Sequence, residues 1–93
     1  MATLWQVQED QRGRWRDFPD TLQCQVEAVY MQWVTAGKPG ELVIEYVWPN
    51  ANRTTFAQYE IHVKKVGESI EICQVNVGAQ SLRRVRRLVV ASE

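Results

Sequence analysis

The sequence predicts an α+β fold: one helix packed on a curved, mostly antiparallel sheet of about six strands. Three observations lead there. Only the stretch from Leu22 to Trp33 repeats its apolar residues with helical spacing. Everything after it alternates apolar and polar residues with period two, broken by short turns rich in Gly, Pro and Asn. The links between those runs are short, so successive strands pair as antiparallel neighbours. At 93 residues the chain has room for one modest core and is expected to form a single domain over residues 1–93.

Each element has its own local cause. Leu4 to Gln8 reads as a strand with Trp5 and Val7 on one face, Glu9 to Gly13 as a polar hairpin turn, and Arg14 to Phe18 as the return strand. Pro19 ends that strand because it has no ladder donor. Asp20 or Thr21 is placed to cap the helix, with Gln23 spaced as in a capping box. Leu22, Val26, Val29, Tyr30 and Trp33 form one stripe, and each large side chain buried there contributes roughly 1.5–3 kcal/mol before entropy is counted. Gly37 can supply the left-handed residue that ends the helix, and Pro39 blocks continuation. Glu41 to Trp48 is the next strand and Pro49 to Asn52 its turn; Thr54 to Val63 follows, then a turn over Lys64 to Glu68 around Gly67. Ser69 to Val75 and Ser81 to Ala91 are the last strands, separated by Gly78-Ala79-Gln80.

The charges are arranged more tellingly than their sum. Eleven basic and eleven acidic residues give a formal net charge of zero, which weighs against nucleic acid or a membrane surface as partner. Yet Arg12, Arg14 and Arg16 form one basic run, and Arg83, Arg84, Arg86 and Arg87 another. On a strand, Arg83, Val85, Arg87 and Val89 share one face, and Leu82, Arg84, Arg86, Leu88 and Val90 the other. Both faces carry arginine, so at least one opens onto solvent, a partner or an anion. Two local cationic patches on a neutral molecule point to a small anionic ligand.

Catalytic chemistry has little to draw on. His62 is the single histidine, and Cys24 and Cys73 lack the close spacing of a zinc site. Both cysteines are expected to be reduced and buried. No glycine-rich phosphate loop or nucleophile elbow occurs. The expectation is a binding protein without metal or cofactor. With no apolar run of about 20 residues and no leader pattern at the N-terminus, it is expected in the cytoplasm or nucleus.

Trp5 and Trp15 around a polar turn, a helix with Glu27 and Tyr30, then Tyr59-Glu60-Ile61, Gln74-Val75-Asn76 and Arg83-Arg84-Val85-Arg86-Arg87 together resemble the WWE domain. The resemblance spans nearly the whole chain. It implies a hairpin, one helix and a half-barrel of antiparallel strands, and a non-catalytic reader of iso-ADP-ribose or ADP-ribose units in poly(ADP-ribose). Such readers occur in ubiquitin ligases and ADP-ribosyltransferases, so the implied partners are poly(ADP-ribose), ADP-ribosylated proteins, and ligase or transferase domains of a larger parent. By position, the resemblance implies Tyr59 packing on the ligand, Gln74 hydrogen-bonding it and Arg83 meeting phosphate, with Trp15 and Val7 near the pocket. Val7 stands where binding members often have an aromatic residue, and Ile72 where they have methionine. The stretch from Tyr59 to Gln74 is longer than usual, with Lys64-Lys65-Val66-Gly67-Glu68 as the extension, so Gln58 or Glu60 are alternatives to Tyr59. A domain of this fold that serves as a protein-interaction or spacer unit, without ADP-ribose, is the other reading.

Overall fold

The computed structural model describes residues 2–9, 13–49 and 54–90. In chain order the elements are β1 (Ala2–Gln8), β2 (Trp15–Asp17), α1 (Asp20–Thr35), β3 (Glu41–Pro49), β4 (Phe56–Val66), β5 (Ser69–Asn76) and β6 (Ser81–Val90). The six strands make one antiparallel sheet in the order β2-β1-β6-β5-β4-β3. β3 to β6 form a meander, and β6 closes against β1. The arginine-bearing strand therefore joins the first hairpin to the rest of the sheet.

The sheet curls into the half-barrel that the α+β reading anticipates. β2 and β3 are its opposite edges, yet the Arg16 guanidinium of β2 lies 5.3 Å from the centre of the Trp48 ring on β3. Phe18, just after β2, meets Tyr46 and Trp48 at ring-centre distances of 6.1 and 5.7 Å. One end of the sheet is thus nearly closed upon itself. Helix α1 fills the concave side: Leu22, Val26, Tyr30 and Trp33 are buried with Trp5, Val7, Ile44, Ile61, Val63 and Val85. Trp5 packs edge-on against Tyr30 at 5.2 Å.

The helix begins differently from the capping-box expectation. Pro19 occupies the N-cap and no side-chain cap bond is made. Gln23 is needed elsewhere: its Oε1 accepts from the Trp5 amide at 2.7 Å, and its Nε2 donates to the Trp5 and Phe18 carbonyls at 2.8 and 3.1 Å. The β2 ladder covers Gln6 to Gln8 and the Phe18 amide still reaches the Trp5 carbonyl at 3.1 Å, so the glutamine supplies the partner of the Trp5 amide and a second donor to that carbonyl. At the other end Gly37, with φ +91°, supplies the left-handed residue the sequence predicts.

Two further expectations are corrected. Lys64, Lys65 and Val66 are not turn but strand, paired with Glu71, Ile70 and Ser69, so Gly67 and Glu68 alone make the turn. Cross-strand charge supports this, Lys64 lying 3.9 Å from Glu71. The extension therefore lengthens the hairpin at its far tip and leaves the pairing of Ile61 with Gln74 continuous. Cys24 is exposed, because it sits on the face of α1 away from the Leu22/Val26 stripe; Cys73 is partly buried, and both are free. Most of the turns expected at Glu9 to Gly13 and Pro49 to Asn52, and Ala91, lie outside the described residues. No helix among the described residues is long and apolar enough to cross a membrane.

Candidate ligand-binding site

Period-two alternation decides which side chains meet at the nearly closed end. On β5, Gln74 shares the concave face with Ile72 and Asn76, and its partner across the ladder is Arg83 of β6. One row further along, Tyr59 of β4 pairs with Asn76 on one side and Tyr46 of β3 on the other. Two strand positions beyond Tyr46 stands Trp48.

These residues are bonded as well as adjacent. Gln74 is only 6% exposed, and its Nε2 donates to the Tyr46 hydroxyl. The Tyr46 and Tyr59 rings stack with centres 5.5 Å apart and 17° between planes. Trp48 lies 6.4 Å from each of them, and Phe18 closes the cluster from the opposite edge of the sheet. Burial pushes the Tyr46 phenol up, against the effect of Gln74, so its hydroxyl remains neutral and orients the amide. At the rim the exposed Arg83 donates from Nη1 to the Glu9 carbonyl at 2.9 Å. Among the described residues neither Arg83 nor Arg16 is paired with a carboxylate, so both keep charge for an anion.

Four of the expected residues, Tyr59, Gln74, Arg83 and Val7, share the concave face. Val7 is 5% exposed and faces Val85 across the ladder, so it forms wall rather than platform. Gln58 and Glu60 point to the opposite face, which settles the side occupied by Tyr59. Trp15 is not with them. It pairs with Gln8 on the convex face, under the Arg86 guanidinium at 4.2 Å, while Arg86 Nε donates to Gln6 Oε1 at 2.8 Å. Sequence reasoning passes over Tyr46, Trp48 and Arg16 as site residues. The spacing of Tyr46 and Trp48 was a usable signal, since it places two aromatics on one face; the approach of Arg16 depends on the curl of the sheet.

The remaining arginine on the concave face has a structural task. Arg87 grips Glu27 of α1 with two bonds of 2.8 Å, while Trp5 Nε1 donates to the same carboxylate at 2.9 Å. The Arg87 hydrogen bond, aided by Trp5 and opposed by burial, holds the Glu27 carboxyl below its usual range. This Trp5–Glu27–Arg87 unit fixes the helix against β1 and β6.

The arrangement suits recognition: a flat aromatic platform, an oriented amide and guanidinium groups. His62 lies on the convex face between Glu41 and Glu60, at 2.7 and 3.0 Å. Burial, then Glu41, raises the Cys73 thiol, which disfavours a thiolate nucleophile. Among the described residues no group of three or more His, Cys, Asp or Glu side chains is placed to hold a metal ion.

Comparison with curated proteins and with solved structures finds no match for the chain. The family model of the WWE domain, a family of generally non-catalytic interaction modules, matches residues 3–87, nearly the whole chain. With the hairpin, the single helix, the half-barrel and the Trp5–Glu27 bond in place, the chain belongs to the WWE domain family.

Proposed function

We propose that the concave mouth binds iso-ADP-ribose or ADP-ribose units of poly(ADP-ribose), and that the protein recruits ADP-ribosylated partners without catalysing a reaction. The observation that carries this reading is the buried Gln74 amide, held by Tyr46 beside the stacked Tyr46–Tyr59 pair, with Arg83 directly across the ladder. An adenine needs an apolar or aromatic wall and a fixed hydrogen-bonding group. A pyrophosphate needs guanidinium partners that are charged at any physiological pH. Tyr59 and Tyr46 supply the first, Gln74 the second, and Arg83 the third; Trp48 with Arg16 above it widens the platform. Val7 contributes apolar wall, and Trp15, on the other face, takes no part in this mouth.

Calorimetric titration with iso-ADP-ribose and with ADP-ribose tests the reading. Binding of at least one is expected, with Arg83→Ala abolishing it while the unfolding midpoint stays unchanged, because Arg83 is an exposed rim residue. Absence of heat with both ligands at millimolar concentration would reject it. So would a folded Arg83→Ala protein of unchanged affinity.

A further inference from the structure

β5 and β6 are partners over only part of their length. Their ladder runs from Asn76 paired with Ser81 to Cys73 paired with Arg84. Beyond it, β6 continues from Val85 to Val90 against β1, while β5 runs from Ile72 back to Ser69 against β4. The sheet forks at this point. Among the described residues, the edges that face each other across the fork, 86–90 on β6 and 69–72 on β5, have no ladder partner on that side. Unpaired backbone donors and acceptors of this kind template the addition of a strand.

A groove of about 860 Å³ opens at the apex of the fork, lined by convex-face residues such as Trp15, Cys73, Leu82 and Arg84 and also by Ile72, Arg83 and Val85 of the concave set. That volume falls in the range of sites that enclose a ligand of several residues' bulk. Its apolar surface is available, Leu82 being 68% exposed and Val90, further along the same face of β6, 48%. Its charges are unequally matched. Lys64 is offset by Glu71, and Glu41 by His62. Arg84 is exposed and pairs with no carboxylate among the described residues, and Arg86 bonds the amide oxygen of Gln6 rather than an acid. Along β6 the unmatched charge is therefore positive, on a molecule whose formal net charge is zero.

We infer that the fork is a docking site for an extended, acidic peptide segment of a partner protein. The segment adds as a strand to the free 86–90 edge of β6, its backbone completing the ladder. Its carboxylates meet Arg84 and Arg86, and its apolar residues rest on Leu82 and Trp15. Arg83 borders both this groove and the Gln74 mouth, but the strand-adding edge 86–90 holds none of the mouth's residues, and the inference does not depend on the ADP-ribose reading.

Three seven-residue synthetic peptides that alternate valine with glutamate, glutamine or lysine test it, together with an N-methylated form of the glutamate peptide. Binding is read by fluorescence polarisation and by amide shifts of the labelled protein. The glutamate peptide is expected to bind, to perturb amides 86–90 and to slow their hydrogen exchange. The lysine peptide is expected to bind at least about tenfold more weakly, and N-methylation to remove binding by blocking the ladder. Arg84→Glu is expected to weaken the glutamate peptide by about tenfold with the unfolding midpoint unchanged. No binding of the glutamate peptide at millimolar concentration, equal binding of all three, or shifts centred on Tyr46, Tyr59 and Gln74 would overturn the proposal.

Discussion

Gln74 shows how one polar residue can hold a place in a core. Its side chain is buried among apolar neighbours, and the bond to Tyr46 is what makes that position tolerable. Tyr46→Phe removes the acceptor and leaves the amide donor without its partner, at a cost of about 1–3 kcal/mol. The expected results are a lower denaturant midpoint with unchanged slope and, because the amide is no longer oriented, a loss of about tenfold in affinity for iso-ADP-ribose. Calorimetry on the folded variant separates the two effects. Gln74 was readable from the sequence through its place in the family pattern. Its dependence on Tyr46 was not, since the two are far apart in the chain and meet only through the ladders of β3, β4 and β5.

Among the elements, α1 and β1 are joined by side chains that complete the backbone as well as by their shared apolar surface. Gln23 makes three hydrogen bonds to the Trp5 and Phe18 backbone. Gln23→Leu preserves approximate volume and leaves the Trp5 amide and the Phe18 carbonyl without the glutamine, while the Trp5 carbonyl keeps the Phe18 amide, so a loss of about 2–4 kcal/mol is expected by urea unfolding. If Gln23 were an exposed capping residue, the loss would stay near or below about 1 kcal/mol. The helix itself was legible because its stripe is set by local spacing, and the strands because each alternates with period two. The Lys64 to Val66 stretch was assigned to the turn around Gly67 for the same local reason, since its strand character shows only once Glu71, Ile70 and Ser69 are seen across from it. The fork between β5 and β6 left no trace in either strand, because it arises from the change of partner along β6.

For the molecule as a whole, two clamps give stability a defined pH profile. The Glu27 carboxyl is held below its usual 4.5, chiefly by the Arg87 hydrogen bond, so its contribution is present above that value and is lost as pH falls through the lowered pKa. His62 is opposed most by burial, yet the hydrogen bonds of Glu41 and Glu60 together outweigh this and raise its pKa above 6.5. Its contribution is fully present below 6.5 and is lost as pH rises through the raised pKa. Glu41 is about half exposed, which limits the His62 effect to under about 1 kcal/mol after screening. Denaturation followed against pH is expected to show both losses, with His62→Gln abolishing the one on the alkaline side and Glu27→Gln the one on the acid side. The curl that joins β2 to β3 matters more for function, since it brings Arg16 and Phe18 to the aromatic platform. The most direct measurement is an amide and side-chain chemical-shift map of the labelled protein titrated with iso-ADP-ribose. The expected result is saturable shifts confined to Gln74, Tyr46, Tyr59, Trp48 and Arg83, with Trp15 and His62 unmoved; shifts centred on Trp15 and the convex face, or none at millimolar ligand, would contradict it.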